Sequence, residues 1–224
     1  ACTVRKGESG GNPADLLRMK IFGIGMNYAA HNKELQNSLL YMEEPIVFTK
    51  ADSALLTRGM PFFVPDFTGR CDYETELCVR VNHLGRSIPE RFAHRYYDEV
   101  TVGIDFTARD LQAELRQKGL PWDLCKGFDG SAAIGRWMPL PRYGKGIQEL
   151  HFHLLRNGQK VQEGHTADML FGVDKLVSFI SHYFTLKTGD IIFTGTPAGV
   201  GPVSIGDHLE GYLEDEKVLE FNVK

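Results

Sequence analysis

The sequence predicts a single strand-rich α+β domain over residues 19–224, and three observations carry that reading. Several segments alternate polar and apolar residues at period two, as half-buried strands do. An Asn157-Gly158 pair sits between two such segments, the signal of a two-residue hairpin turn. No linker, internal repeat or low-complexity tract divides the chain.

Taken in order, residues 1–18 show no hydrophobic period and read as an extension or tag remnant, with Met19 as the natural start. Ile21 to Met26 is an apolar strand containing two glycines, and residues 27–35 have helical character. Pro45 opens a short buried strand, Ile46-Val47-Phe48. Tyr73 to Val81 alternates, with Asp72, Glu74, Glu76 and Cys78 on one face. Residues 90–99 suggest a helix and Val100 to Phe106 a strand. A helix follows over Thr107 to Lys118, with Thr107 as its N-cap and Asp110 completing a capping-box variant. Leu150 to Arg156 and Gln159 to Gln162 flank the hairpin turn. Asp174 to Tyr183 is an amphipathic helix, Ile191-Ile192-Phe193 a buried strand, and the stretch from Asp207 onward alternates as a sheet edge.

Composition narrows the function. With 42% hydrophobic and 24% charged residues the chain can bury a full core. A net charge of -4 and no Lys/Arg run argue against nucleic acid as a partner. Cys2, Cys71, Cys78 and Cys125 form no CxxC pair, so the expectation is free thiols in a reducing, cytoplasmic setting. No apolar run approaches the roughly 18 residues of a membrane span.

Glu74 and Glu76, two apart on a strand, project from one face and can share a cation. Hard oxygen ligands of this kind suit magnesium, manganese or calcium. The same pattern also describes a solvated strand face. Asp105 ends an apolar strand, where a carboxylate reaches a cleft, and Thr107 leaves it free of capping. Arg109 and Gln112 share a helix face, and an Arg there grips a carboxylate or simply meets solvent. Lys126 follows an apolar stretch that would lower its pKa or bury its stem. His31 and Glu34, three apart, form either a general-base dyad or a surface pair. The turn Thr194–Gly201 lacks the Gly-Lys-Ser/Thr ending of a phosphate loop, which excludes nucleotide binding.

In order and spacing these blocks resemble the fumarylacetoacetate hydrolase family from Met19 onward. The resemblance rests on Asn27-Tyr28-Ala29-Ala30-His31, Glu44–Lys50, Asp72–Leu77, Asp105–Gln112, Lys126–Asp129 and Thr194–Gly201. It implies a mixed β-sandwich roll, usually a homodimer, with Glu74, Glu76 and Asp105 holding Mg2+ or Mn2+ (Ca2+ as a substitute). It assigns Arg109, Gln112, Lys126 and Thr196 to a pyruvate-like substrate, and His31, Glu34 and Lys126 to catalysis. The implied activity is hydrolysis of a C–C bond in acylpyruvate-like 2,4-dioxo acids through a metal-chelated enolate. The alternative is an isomerase or decarboxylase of 2-oxo dicarboxylates, and the non-enzyme alternative a calcium-stabilised binding protein. Ala51, Ala133 and His165 depart from the family pattern, the last with a bearing on substrate choice.

Overall fold

The computed structural model describes residues 19–34 and 43–224, those of 32–34 for the backbone only. The reading of residues 1–18 therefore lies outside the described residues. In chain order the elements begin β1 (Ile21–Gly25), α1 (Ala29–Glu34), β2 (Ile46–Lys50), β3 (Cys71–Tyr73), β4 (Thr75–Val81) and β5 (Tyr97–Asp105). Then come β6 (Thr107–Ala108), α2 (Arg109–Lys118), α3 (Asp123–Lys126), β7 (Ala132–Ile134), β8 (Met138–Pro139), β9 (His151–Arg156) and β10 (Gln159–His165). The chain closes with α4 (Val173–Tyr183), β11 (Ile191–Phe193), β12 (Gly201–Pro202), β13 (His208–Leu213) and β14 (Glu216–Asn222).

The strands form three sheets. The largest runs β2-β1-β11-β4-β5-β7, with β8 also on β5; β1 and β11 are parallel and its other pairs antiparallel. A four-stranded antiparallel sheet runs β10-β9-β13-β14, and a small one β12-β3-β6. The first two pack face to face. Leu77, Val79, Val100 and Val102 of the large sheet meet Phe152, Leu213 and Val218 of the second in one buried cluster. Helix α4 closes that cluster with Val173, Leu176, Val177 and Ile180, the i, i+3, i+4, i+7 stripe of an amphipathic helix. Each such side chain contributes about 1.5–3 kcal/mol by leaving water. This is the strand-rich α+β architecture the sequence predicts.

The hairpin reading holds: Asn157 and Gly158 both have positive φ, 53° and 77°, as a type I′ turn requires. Cys71, Cys78 and Cys125 are buried free thiols. Burial pushes Cys71 up to about 12 and Cys125 up to about 11, which keeps them protonated and unreactive.

Four local expectations are corrected. The strand from Tyr73 is not continuous: the chain switches sheets at Glu74, between β3 and β4. Residues 90–95 form a 3-10 helix, and Tyr97 already belongs to β5. Thr107 does not cap a helix. It pairs with Asp72 in the small sheet, α2 starts at Arg109, and Asp110 instead accepts from Thr68 and the Gly69 N–H. From Asp207 onward only β14 is an edge, since β13 lies between β9 and β14.

Candidate metal centre

The sheet switch at Glu74 and the end of β5 at Asp105 bring the acidic residues together. Thr75 pairs with Ile104 and Glu76 with Gly103, so the start of β4 lies beside the end of β5. Glu74, Glu76 and Asp105 are each 5% exposed or less, and their ligand atoms lie within 4.8 Å of one another. The common strand face that suggested the pair is replaced by a bend, yet the carboxylates converge.

Three buried carboxylates so close need compensation, because the desolvation of each disfavours its charge. Lys126 Nζ stands 2.7 Å from Glu74 Oε2, 2.7 Å from Asp105 Oδ2 and 2.7 Å from Thr107 Oγ1. Its three N–H donors are thereby used. Burial depresses the Lys126 pKa, but Asp105 and Glu74 outweigh it and hold it above the usual lysine range. Of the two outcomes its apolar sequence context offered, the stem is buried and the pKa is not lowered. Glu74 is opposed in the same way: burial raises it, and Lys126, Arg109 and His31 pull it well below the carboxylate range.

Glu76 differs from its neighbours. Among the described residues it has no ion pair, and its bond is to the Gly195 N–H at 2.6 Å. Burial, then the charges of Asp105 and Glu74, push its pKa well up. Gly195 approaches this closely at φ +101°, and a Cβ there would sit 2.6 Å from Asn27 Cβ, so only glycine fits.

Arg109 Nη2 donates to Glu74 Oε1 at 2.5 Å, Nη1 to Gln112 Oε1 at 2.6 Å, and Nε to Asp72 Oδ2 at 2.8 Å. The predicted Arg109–Gln112 face is thus turned inward, not to solvent. His31 is 4% exposed and its charge acts on Glu74. The side chain of Glu34 lies outside the described residues, so the proposed dyad is represented by His31 alone. Thr196 is present too, but its hydroxyl donates to Thr75 O at 3.0 Å and accepts from Gln162 Nε2 at 2.7 Å. His165, singled out as a departure, stacks on His151 with ring centroids 4.0 Å apart.

Sequence reasoning missed three participants. Lys50, at the end of β2, is 4% exposed; its Nζ lies 2.6 Å from Asp105 Oδ1 and reaches Ser131 Oγ at 3.1 Å and the Lys126 carbonyl. Burial drives its pKa down against the pull of Asp105. The signal was a lysine closing an apolar strand. Asp72 was noticed only as acidic crowding, and it is the anchor of Arg109 and of Arg70. Gln162 gave no signal beyond being polar in a hairpin strand.

The donor set fits a hard divalent cation. All three groups are carboxylates, the ligand type of magnesium and manganese, and among the described residues Glu76 forms no ion pair. The partly exposed cluster His208, Glu210 and Glu220 also has three ligand atoms within 4.8 Å.

Residues 20–224 match the sequence model of the fumarylacetoacetate hydrolase C-terminal domain. The chain is 40% identical over 213 residues to an uncharacterised protein of Pyrococcus horikoshii, covering 93% of this chain and 90% of that one. It is 36% identical over 201 residues to the mitochondrial oxaloacetate tautomerase FAHD1 of Homo sapiens, covering 90% of each. Among solved structures it is similar to fumarylpyruvate hydrolase from Pseudomonas aeruginosa in complex with Mn2+ and pyruvate. That likeness has a TM-score of 0.84 and 33% identity, and covers 91% of this chain and 88% of the other.

Proposed function

The chain belongs to the fumarylacetoacetate hydrolase family, and on that premise we propose that it is a divalent-metal-dependent enzyme acting on a small 2-oxo acid. The observation that carries this reading is the buried triad in which Glu76 forms no ion pair among the described residues, while Arg109 and Lys126 converge on its neighbours. Glu74, Glu76 and Asp105 would hold Mg2+ or Mn2+. Such an ion supplies Lewis-acid polarisation of a 2-oxo group.

The chain's own residues do the rest. Arg109 uses three of its five N–H donors on Asp72, Gln112 and Glu74, which locks the guanidinium for gripping a carboxylate. Lys126 turns to a substrate only when another cation takes the Glu74 and Asp105 oxygens it now satisfies. His31, enclosed beside Glu74, holds or moves a proton at the edge of the same cleft.

Two reactions suit this arrangement. Keto–enol tautomerisation of a 2-oxo dicarboxylate needs only proton transfer next to the polarised carbonyl, and the likeness to oxaloacetate tautomerase over 90% of both chains favours it. Hydrolysis of a 2,4-dioxo acid adds water activated by His31 with Glu34, and the likeness to fumarylpyruvate hydrolase favours that. We propose a cytoplasmic homodimer, the compartment from the free buried thiols and the dimer from the family resemblance. The test is an assay of oxaloacetate tautomerisation and of acylpyruvate cleavage with Mg2+ or Mn2+, alongside His31→Ala. Cleavage lost in His31→Ala supports hydrolysis, and cleavage unchanged removes its water-activating role. No turnover of either substrate, with tight Ca2+ binding insensitive to oxalate, would replace the enzyme by a calcium-stabilised binding protein.

A further inference from the structure

We propose that Gln162, a residue of the second sheet, is a positioning residue that sets the separation of the metal-binding carboxylates from Thr196; this rests on the metal-dependent reading above. The hydrogen-bond ladder between β11 and β4 stops early. Strand β11 pairs with β4 only from Cys78 to Arg80, and Thr194 extends the contact with its N–H and hydroxyl on Leu77 O. Beyond that point the chain turns away into the glycine-rich segment. The next edge-facing groups of β4, the Thr75 N–H and C=O, would be left without a strand partner in a buried setting, where unpaired backbone groups are costly.

Side chains complete the ladder. Gln162 Oε1 accepts from the Thr75 N–H at 3.0 Å, and the Thr196 hydroxyl donates to Thr75 O at 3.0 Å. Gln162 Nε2 joins the two ends by donating to Thr196 Oγ1 at 2.7 Å and to Pro197 O at 2.8 Å. The amide orientation is unambiguous, because a backbone N–H can only donate and a carbonyl can only accept. Thr75 lies between Glu74 and Glu76. Its N–H belongs to the peptide leaving Glu74 and its C=O to the peptide entering Glu76. One bridge therefore pins both peptide planes from which the two carboxylates project.

The way Gln162 reaches this seam is itself built in. The pairing of β10 with β9 shifts between Lys160 and Gln162, leaving Val161 as the extra residue of a β-bulge. Bulges re-aim side chains and bend strands next to functional sites. Gly199, at φ +97°, packs on that bulge, where a Cβ would lie 3.0 Å from Val161 O. Bulge, glutamine and glycine-rich turn thus interlock, and the turn in turn presents the Gly195 N–H to Glu76.

The experiment is Mn2+ calorimetry on the full chain, with oxalate affinity measured at saturating Mn2+. Gln162→Met keeps the volume and removes the three hydrogen bonds that Gln162 contributes to the bridge. It is expected to fold and to bind Mn2+ at least about ten-fold more weakly, the scale seen when groups supporting metal ligands are removed. Thr196→Val breaks the same bridge from the other end, and the double variant is expected to be no weaker than the worse single one. Gln148→Met serves as control. It deletes another clamp, to the Val173 N–H and Thr166 O, and is expected to lower Tm without changing Mn2+ affinity. If Gln162→Met does not fold, Gln162→Asn, one methylene short, takes its place with the same expectation. Mn2+ affinity within two-fold of wild type in the folded Gln162 variant overturns this inference and leaves the proposed function standing. No Mn2+ binding by the wild-type chain overturns both.

Discussion

Among the described residues two clusters place three metal-capable side chains within 4.8 Å, and they differ in burial and in partners. Glu74, Glu76 and Asp105 are buried, and the positive charges around them are two buried lysines and Arg109. Around His208, Glu210 and Glu220 each group is already satisfied at the surface. Lys217 lies 2.9 Å from both glutamates, and His208 contacts Asn222 and Glu220. Proximity of acids is common to both. Water and salt screen the partly exposed set, whereas the buried one depends on fixed partners, and among the described residues Glu76 forms no ion pair. The proposed metal site is therefore the buried one.

The comparison can be broken at its partners first. Lys50→Met strands a buried Asp105 oxygen, and the expected loss in the metal-free protein is about 3–5 kcal/mol by denaturant unfolding. Lys217→Met, its exposed counterpart, should leave the unfolding midpoint unmoved; an equal loss in both would mean that burial is not what separates the clusters. Next in size, Glu76→Gln should weaken Mn2+ binding by about 100-fold or more, at or beyond the upper end for supporting groups. Calorimetry showing undiminished affinity in that variant would remove Glu76 from the ligand set. Somewhat smaller is the effect on stability: Mn2+ at about 100 times its Kd should stabilise the wild type by ~2.7 kcal/mol, and at the same concentration the gain in Glu76→Gln should fall to about 0.4 kcal/mol or less. The smallest expectation is no effect at all. Glu220→Gln should leave Mn2+ stoichiometry and turnover as in wild type, and a lost binding event would make the surface cluster a second metal site.

The elements that were legible share a short range. The Asn157-Gly158 hairpin, the stripe of α4 and the strand ending at Phe193 are set by neighbouring residues, where turn chemistry and periodicity act directly. Thr107 was misread for the same reason: a threonine before a helix is a good cap locally, but pairing with Asp72 from a distant strand took it into a sheet. The continuous strand through Glu74 failed likewise, since alternation cannot reveal that a chain changes sheets.

By itself the sequence singled out the candidate groups: three carboxylates, Arg109, Gln112, Lys126, Thr196, His31 and Glu34, recognisable through their order along the chain. Tertiary structure alone decided what surrounds them. Lys50 meets Asp105 across 55 positions of chain, Arg109 meets Asp72 across 37, and Gln162 meets Thr75 across 87. Periodicity reports which face of an element is buried, never which other element covers it. Charge neutralisation around the carboxylates, the bridge at Thr75 and the burial of Glu76 are all properties of that covering.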